Sequence, residues 1–318
     1  MNFAKCFYES PVILMEGAIG ERLKREYGIT FDDKVAFASL IYNDASRNAM
    51  KHIFSQYVSI AEKYNLPFMA TTTTRRANKE RVMQSGFGEN IIEDNVYFLK
   101  QIKEITSSNI YIGGLMGCKG DAYKGTCVMS IEEATEFHSW QANLFKKAEV
   151  DFLYAGIMPA LPEAIGMAKA MENTGLPYIM SFMIRKNGEL IDGTTIHNAI
   201  LSIDEATVQK PICYMTNCVH PTVLKAALSC QINDTILVKE RFRGIQANAS
   251  PLSPEELDNC CDLKTSDSIS LASDIMELYK CFTPKIIGGC CGTDNTHIEE
   301  IAKRLVTSKQ KNLSINTY

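Results

Sequence analysis

Three cysteines carry the chemistry that this sequence advertises: Cys218 and the adjacent pair Cys290 and Cys291. Thiolates are soft ligands that select zinc, and three protein ligands on a tetrahedral ion leave its fourth position open. A thiol entering that position is deprotonated near neutral pH, and the thiolate is the nucleophilic form of sulfur. Three protein thiolates also keep the site net negative, so the incoming sulfur stays electron-rich and alkyl transfer to it follows. Neighbouring cysteines on an extended chain point to opposite faces. A shared ion therefore requires a bend, and Gly288, Gly289 and Gly292 frame the pair. From spacing alone the same cysteines read more readily as core thiols, the usual fate of a free cysteine, and the glycine frame brings the two readings level.

Other residues gain or lose interest by their surroundings. Glu16 closes an apolar run, where a carboxylate sits poorly unless a site uses it. The threonines at 71–74 read either as a β-prone run or as a pocket lining. Arg75 and Arg76 read as a solvated pair or as a trap for a substrate anion. Cys260 and Cys261 lie in a polar stretch after Pro251 and Pro254 and read as a loop rather than a second metal pair. His220 reads as a surface histidine rather than a fourth ligand. The chain has 11 cysteines in 318 residues, an odd number in a chain that is not small, so a disulfide framework is not expected. Its 14 methionines read as core filling.

The elements that must position these groups are legible as eight short apolar runs, at 12–17, 67–74, 109–117, 151–158, 177–184, 211–218, 242–250 and 285–292. Near-continuous apolar runs suit parallel strands covered on both faces. Between them lie helical segments. That at 131–148 follows Ser130 with Glu133 three positions on, a capping box, and 162–173, 266–281 and 296–306 have the same helical character. Strands alternating with helices specify an α/β protein, and eight units in about 300 residues fit a single closed (β/α)₈ TIM barrel over residues 1–318. An open doubly wound sheet is the structural alternative. In a barrel the reactive groups lie at the C-terminal strand ends. There fall Glu16 and Gly17 on the first strand, the threonines on the second, Gly113 and Gly114 on the third, Asn217 and Cys218 on the sixth, Asn248 on the seventh, and Cys290 and Cys291 on the eighth. Strands six and eight then stand one strand apart, which brings distant thiols together.

Bulk properties exclude several classes. A net charge of −4 with no long basic run gives a nucleic-acid partner no electrostatic footing. No stretch approaches the roughly 20 apolar residues of a membrane span, and the first residues lack a secretory signal, so a cytoplasmic protein is expected.

Ile286-Ile287-Gly288-Gly289-Cys290-Cys291-Gly292-Thr293 with His297-Ile298, joined by Thr216-Asn217-Cys218, resembles the homocysteine S-methyltransferase family. Weaker likenesses run along the chain: Leu14–Glu21 to the family's opening turn, 72–78 to its strand-two stretch, Gly114–Gly120 to its strand-three loop, His138–Gln141 to its helix and Ala247-Asn248-Ala249 to its strand-seven turn. The resemblance implies a (β/α)₈ barrel with zinc on Cys218, Cys290 and Cys291 and an S_N2-like methyl transfer to a zinc-bound thiolate. It implies substrate contacts at Glu16, Gly17, Ala18, Thr73, Asn217 and Asn248. Three positions depart from the family pattern. Glu16 stands for its Asp, Gly156 for the strand-four Glu that holds the amino group of homocysteine, and Arg75 for an aromatic.

The functional expectation is a zinc-dependent methyltransferase taking a methyl group from S-methylmethionine, a betaine or a methylated corrinoid on a separate protein. The acceptor is homocysteine, giving methionine, with Glu16 or Glu163 supplying the carboxylate missing at Gly156. A different, anionic thiol without the amine is the alternative acceptor. A non-catalytic thiol- or zinc-binding relative is the reading from another class. A lyase or aldolase without zinc is the third, weakened because no lysine sits at an evident strand end. The sequence does not set the oligomeric state.

Overall fold

The eight apolar runs form eight short strands: β1 (Ile13–Met15), β2 (Phe68–Thr71), β3 (Ile110–Gly117), β4 (Phe152–Met158), β5 (Tyr178–Phe182), β6 (Cys213–Val219), β7 (Phe242–Ala247) and β8 (Ile286–Gly289). This is a computed structural model describing residues 2–106, 109–125, 129–252 and 266–315. Each strand pairs in parallel with the next, and β8 returns to β1, so the sheet is a closed barrel rather than an open one. Most strands stop short of the apolar runs. The residues after β1, β2, β7 and β8 leave the ladder because they build the site described below.

The period-two alternation of each strand divides two cores. Ile13, Met15, Met69, Tyr111, Phe152, Tyr154, Ile179, Cys213, Met215 and Ile286 point into the barrel. Leu14, Phe68, Ile112, Leu153, Tyr214 and Ile287 face outward against the helices. A first helix, α1 (Phe3–Glu9), closes the N-terminal end of the barrel. Its Phe3, Cys6 and Phe7 join the inner core, with the Phe3 ring stacked on Phe152 at 4.2 Å. That end is filled by side chains, so ligands have access from the opposite end.

The outer layer contains α2 (Gly20–Tyr27), α3 (Asp44–Lys63), α4 (Lys79–Ser85), α5 (Asn90–Glu104), α6 (Ile131–Lys147), α7 (Leu161–Glu172), α8 (Ile196–Ala206), α9 (Pro221–Ser229), α10 (Ile236–Arg241), α11 (Ser268–Phe282) and α12 (Asn295–Ile315). The capping box that starts α6 is formed, Ser130 Oγ accepting from Glu133 N at 3.1 Å and Glu133 Oε2 from Ser130 N at 2.8 Å. The expected helix start at 266 moves to Ser268, because Asp267 caps Ile269 and Ser270 instead. Cys260 and Cys261 lie outside the described residues. Among those residues no helix is long and apolar enough to cross a membrane.

Candidate active site

At the C-terminal mouth the sulfurs of Cys218, Cys290 and Cys291 lie within 4.8 Å of one another. A tetrahedral ion with Zn–S bonds of about 2.3 Å separates its sulfurs by about 3.8 Å, so the cluster needs only small side-chain adjustments to grip one. Asn217 and Cys218 are sequential on β6, yet both line the cavity at this mouth. Regular alternation forbids that. The β6–β7 register shifts between Asn217 and Val219, and Cys218 has φ of +59°, a left-handed conformation that costs a non-glycine residue on the order of 1–3 kcal/mol. Asn248 holds it there, its Nδ2 donating to the Cys218 carbonyl at 2.9 Å.

The bend at Cys290–Cys291 is a turn closed by Thr293 N donating to Cys290 O at 3.2 Å. Of its three framing glycines only Gly292 adopts a positive φ, +80°. Gly288 and Gly289 remain in β8 and serve close packing instead. A Cβ on Gly288 would stand 2.7 Å from that of Met15, and one on Gly289 would stand 2.3 Å from Thr293 Oγ1. The turn is tied to the first strand by Ala18 N donating to Thr293 Oγ1 at 3.1 Å and Gly292 N donating to Glu21 Oε2 at 2.5 Å.

Hydrogen bonds from the Cys290 and Cys291 thiols hold the Cys218 thiol well below its usual range, and the Arg75 guanidinium adds to the effect. The same sharing holds Cys290 and Cys291 above theirs, Cys291 at about 12. His220 is not part of it: its Nδ1 lies 2.8 Å from Thr222 Oγ1 and its Nε2 3.7 Å from Asp274. Among the described residues the three cysteines are the one group of this kind that could hold a metal ion.

The cavity has a volume of about 220 Å³, the size of a small metabolite rather than of a drug-sized ligand. Glu16 lines it and is buried. Its Oε1 accepts from Thr71 Oγ1 at 2.5 Å, while its Oε2 has no hydrogen-bond partner. Burial pushes this carboxyl up to about 7. Glu163, by contrast, is spent inside the fold, accepting from Lys119 N at 2.6 Å and lying 3.1 Å from His138 Nε2. It does not line the cavity, which leaves Glu16 as its one buried carboxylate among the described residues.

The other expected contacts divide. Gly17 and Ala18 line the cavity, and Gly17 must lack a side chain because a Cβ would stand 2.7 Å from Tyr57 Oη. Thr73 lines it while donating its hydroxyl to Asn95 Oδ1 at 2.7 Å. Asn217 lines it too, but its Oδ1 is engaged by Ile157 N at 3.1 Å and Ser181 Oγ at 2.6 Å. Asn248 is absent from the lining; its Nδ2 braces Cys218, while its Oδ1 is buried without a hydrogen-bond partner.

At Gly156 the space for a side chain is taken: a Cβ would meet Leu115 Cδ1 at 2.8 Å. Beyond it the β4–β5 register shifts, and Ile157, at φ of +58°, lines the cavity. An apolar wall of Leu115 and Ile157 therefore stands where the family has an acid. Tyr123, Tyr154 and Gln246 complete the lining, with Tyr154 Oη donating to Gln246 Oε1 at 3.0 Å. None of the three was expected. The signal for Gln246 was an amide side chain inside a largely apolar run, two positions before Asn248.

These features sit in a chain whose residues 13–305 match the sequence profile of the homocysteine S-methyltransferases. Homocysteine S-methyltransferase YbgG of Bacillus subtilis (strain 168) is 23% identical over 92% of this chain and 94% of its own. The metallated form of the homocysteine methyltransferase MmuM from Escherichia coli superposes with a TM-score of 0.74 at 18% identity, covering 94% of this chain and 98% of that one. Its oxidized form gives 0.73 at 19% identity, covering 93% and 97%. A profile match through all eight strands, on a closed barrel that gathers the three cysteines at one mouth, shows that the chain belongs to the homocysteine S-methyltransferase family and is a methyltransferase.

Proposed function

We propose that this protein is a zinc-dependent S-methyltransferase that methylates homocysteine to methionine. One observation carries the reading: three convergent sulfurs and a buried carboxylate with an unpartnered oxygen line the same small cavity. Cys218, Cys290 and Cys291 would hold the ion, and the soft, three-sulfur donor set suits zinc. Bound there, the ion supplies the Lewis acidity that keeps an acceptor sulfur deprotonated near neutral pH.

The chain's own residues orient the acceptor. Glu16 Oε2 receives the substrate ammonium, an ion pair that offsets the burial of both charges. Leu115, Ile157 and Tyr154 exclude water around the methylene chain. The thiol proton leaves to solvent. The acceptor sulfur forms a bond to the methyl carbon as the donor's bond to that carbon breaks, its electron pair departing with the donor. S-methylmethionine, a betaine and a methylated corrinoid on a separate protein all satisfy that balance.

The apolar wall at Gly156 and the cation of Arg75 favour a second reading, an anionic thiol without an amine. Calorimetric titration of homocysteine and of 2-mercaptoethanesulfonate into zinc-loaded protein separates the two, followed by turnover with each donor. Micromolar homocysteine binding with methionine formed supports the first reading. Absent or millimolar binding with turnover of the anionic thiol replaces it by the second.

A further inference from the structure

Beside the cysteine cavity lies a second pocket of about 380 Å³ into which three arginines converge: Arg75, Arg76 and Arg81. Arg75 and Arg76 come from the turn after β2, and Arg81 from the first half of α4. Cys118, Asp121 and Tyr123 face them from the segment after β3. Arg75 and Tyr123 line both cavities, so the two are neighbours.

Three guanidinium groups in one pocket repel one another unless anions intervene. This chain has more acids than bases, 37 against 33, yet few acids are placed here. Glu80, beside Arg81, pairs with Lys119 Nζ at 2.9 Å, and Glu163 is buried against His138. Asp121 is the one carboxylate that lines the pocket, and its Oδ1 accepts from Tyr123 N at 2.9 Å. Arg81 spends one donor on the Lys34 carbonyl, Nη1 to O at 3.3 Å. Neither Arg75 nor Arg76 forms an ion pair with a carboxylate among the described residues. Burial and the charges of Arg81 and Arg75 lower the affinity of Arg76 for its proton, as crowded like charges do. Gly117 makes the arrangement possible: a Cβ there would stand 2.6 Å from Arg75 Cγ and 2.8 Å from Arg75 O.

We propose that this pocket binds a doubly charged oxyanion, a phosphate ester or paired carboxylates. Three cations against one acid leave a surplus that a dianion neutralises, and planar guanidinium groups match phosphate and carboxylate oxygens in pairs. The binding of an anion stands independently of the methyl-transfer reading.

The probe is inorganic phosphate, titrated calorimetrically into the zinc-loaded protein and into the Arg76→Gln/Arg81→Gln double variant at low ionic strength. Equal removal of exposed charge in Lys225→Gln/Lys303→Gln serves as the control. The expected result is submillimolar binding that weakens about tenfold or more in the arginine variant and is unchanged in the control. Absence of binding overturns the proposal. So does binding that the arginine variant retains, which would put phosphate on the metal or elsewhere on the surface. Thermal unfolding of the variants shows that they are folded. If phosphate binds at the arginines and no thiol is methylated, the pocket stands and the methyl-transfer reading falls.

Discussion

Replacing Glu16 by Gln sets stability against function. The Gln side chain keeps the acceptor that Thr71 N and Oγ1 address, and it removes the ionisation. In the folded protein the carboxyl titrates at about 7, against 4.5 as its ordinary value, because burial disfavours the charged form. The folded pKa is raised, so the contribution to stability is fully present below about 4.5 and is lost as pH rises through about 7. The linkage relation over that window gives the wild type a loss of about 2.5 kcal/mol between pH 5 and pH 8 that Glu16→Gln does not suffer. Urea titrations of both reduced, metal-free proteins at the two pH values measure this double difference, in which titrations common to both proteins cancel. The function moves the other way. Without the carboxylate the homocysteine ammonium loses a charge-assisted hydrogen bond worth about 1.5–3 kcal/mol, roughly ten- to a hundredfold in kcat/KM. The rise of kcat/KM through pH 7 attributable to Glu16 disappears as well. Stability differences that stay parallel from pH 5 to pH 8 would refute the reasoning, since they would mean that Glu16 is solvated and already ionised at pH 5.

Cys218→Ser is expected to lower zinc content from about one ion per chain to none and to abolish methyl transfer, with far-UV circular dichroism unchanged because the barrel core does not depend on the ion; metal analysis checks it. Asn217→Ala leaves Ile157 N and Ser181 Oγ without their shared acceptor, so urea unfolding should show a loss of about 1–3 kcal/mol while zinc content is kept. Gly156→Glu forces Leu115 aside and should cost about 1–3 kcal/mol. In a Leu115→Ala background the same change should cost less by about 1 kcal/mol or more, and an additive double-mutant cycle would count against the packing described.

The barrel was legible because fully buried parallel strands leave uninterrupted apolar runs, and the three cysteines because glycines and strand ends framed them. What the sequence concealed depends on side-chain direction. Nothing in Asn217-Cys218 announces a bulge that turns both residues to one face, and the partner that stabilises it, Asn248, reads from sequence as one more polar group at a strand end. Glu163 and Glu16 are equivalent as letters. Only packing shows that one is consumed by His138 and Lys119 while the other keeps a buried oxygen without a hydrogen-bond partner. Gly156 read as a missing carboxylate, and the structure adds that Leu115 occupies the space, a contact between neighbouring strands that one strand's sequence cannot display. The α1 plug lies ahead of the first strand, where the alternating pattern gave no hint of it.

The mouth of this barrel is divided by strand of origin. The sulfurs and Glu16 come from β6, β8 and β1, whereas Arg75, Leu115, Tyr123 and Ile157 come from β2, β3, β4 and the segments that follow them. The sulfurs with Glu16, and the apolar and cationic lining, are thus held on different arcs of one rim. A descendant of this enzyme could rewrite the second arc, residue by residue, to admit a new partner for the methyl group while the first arc keeps its three sulfurs together.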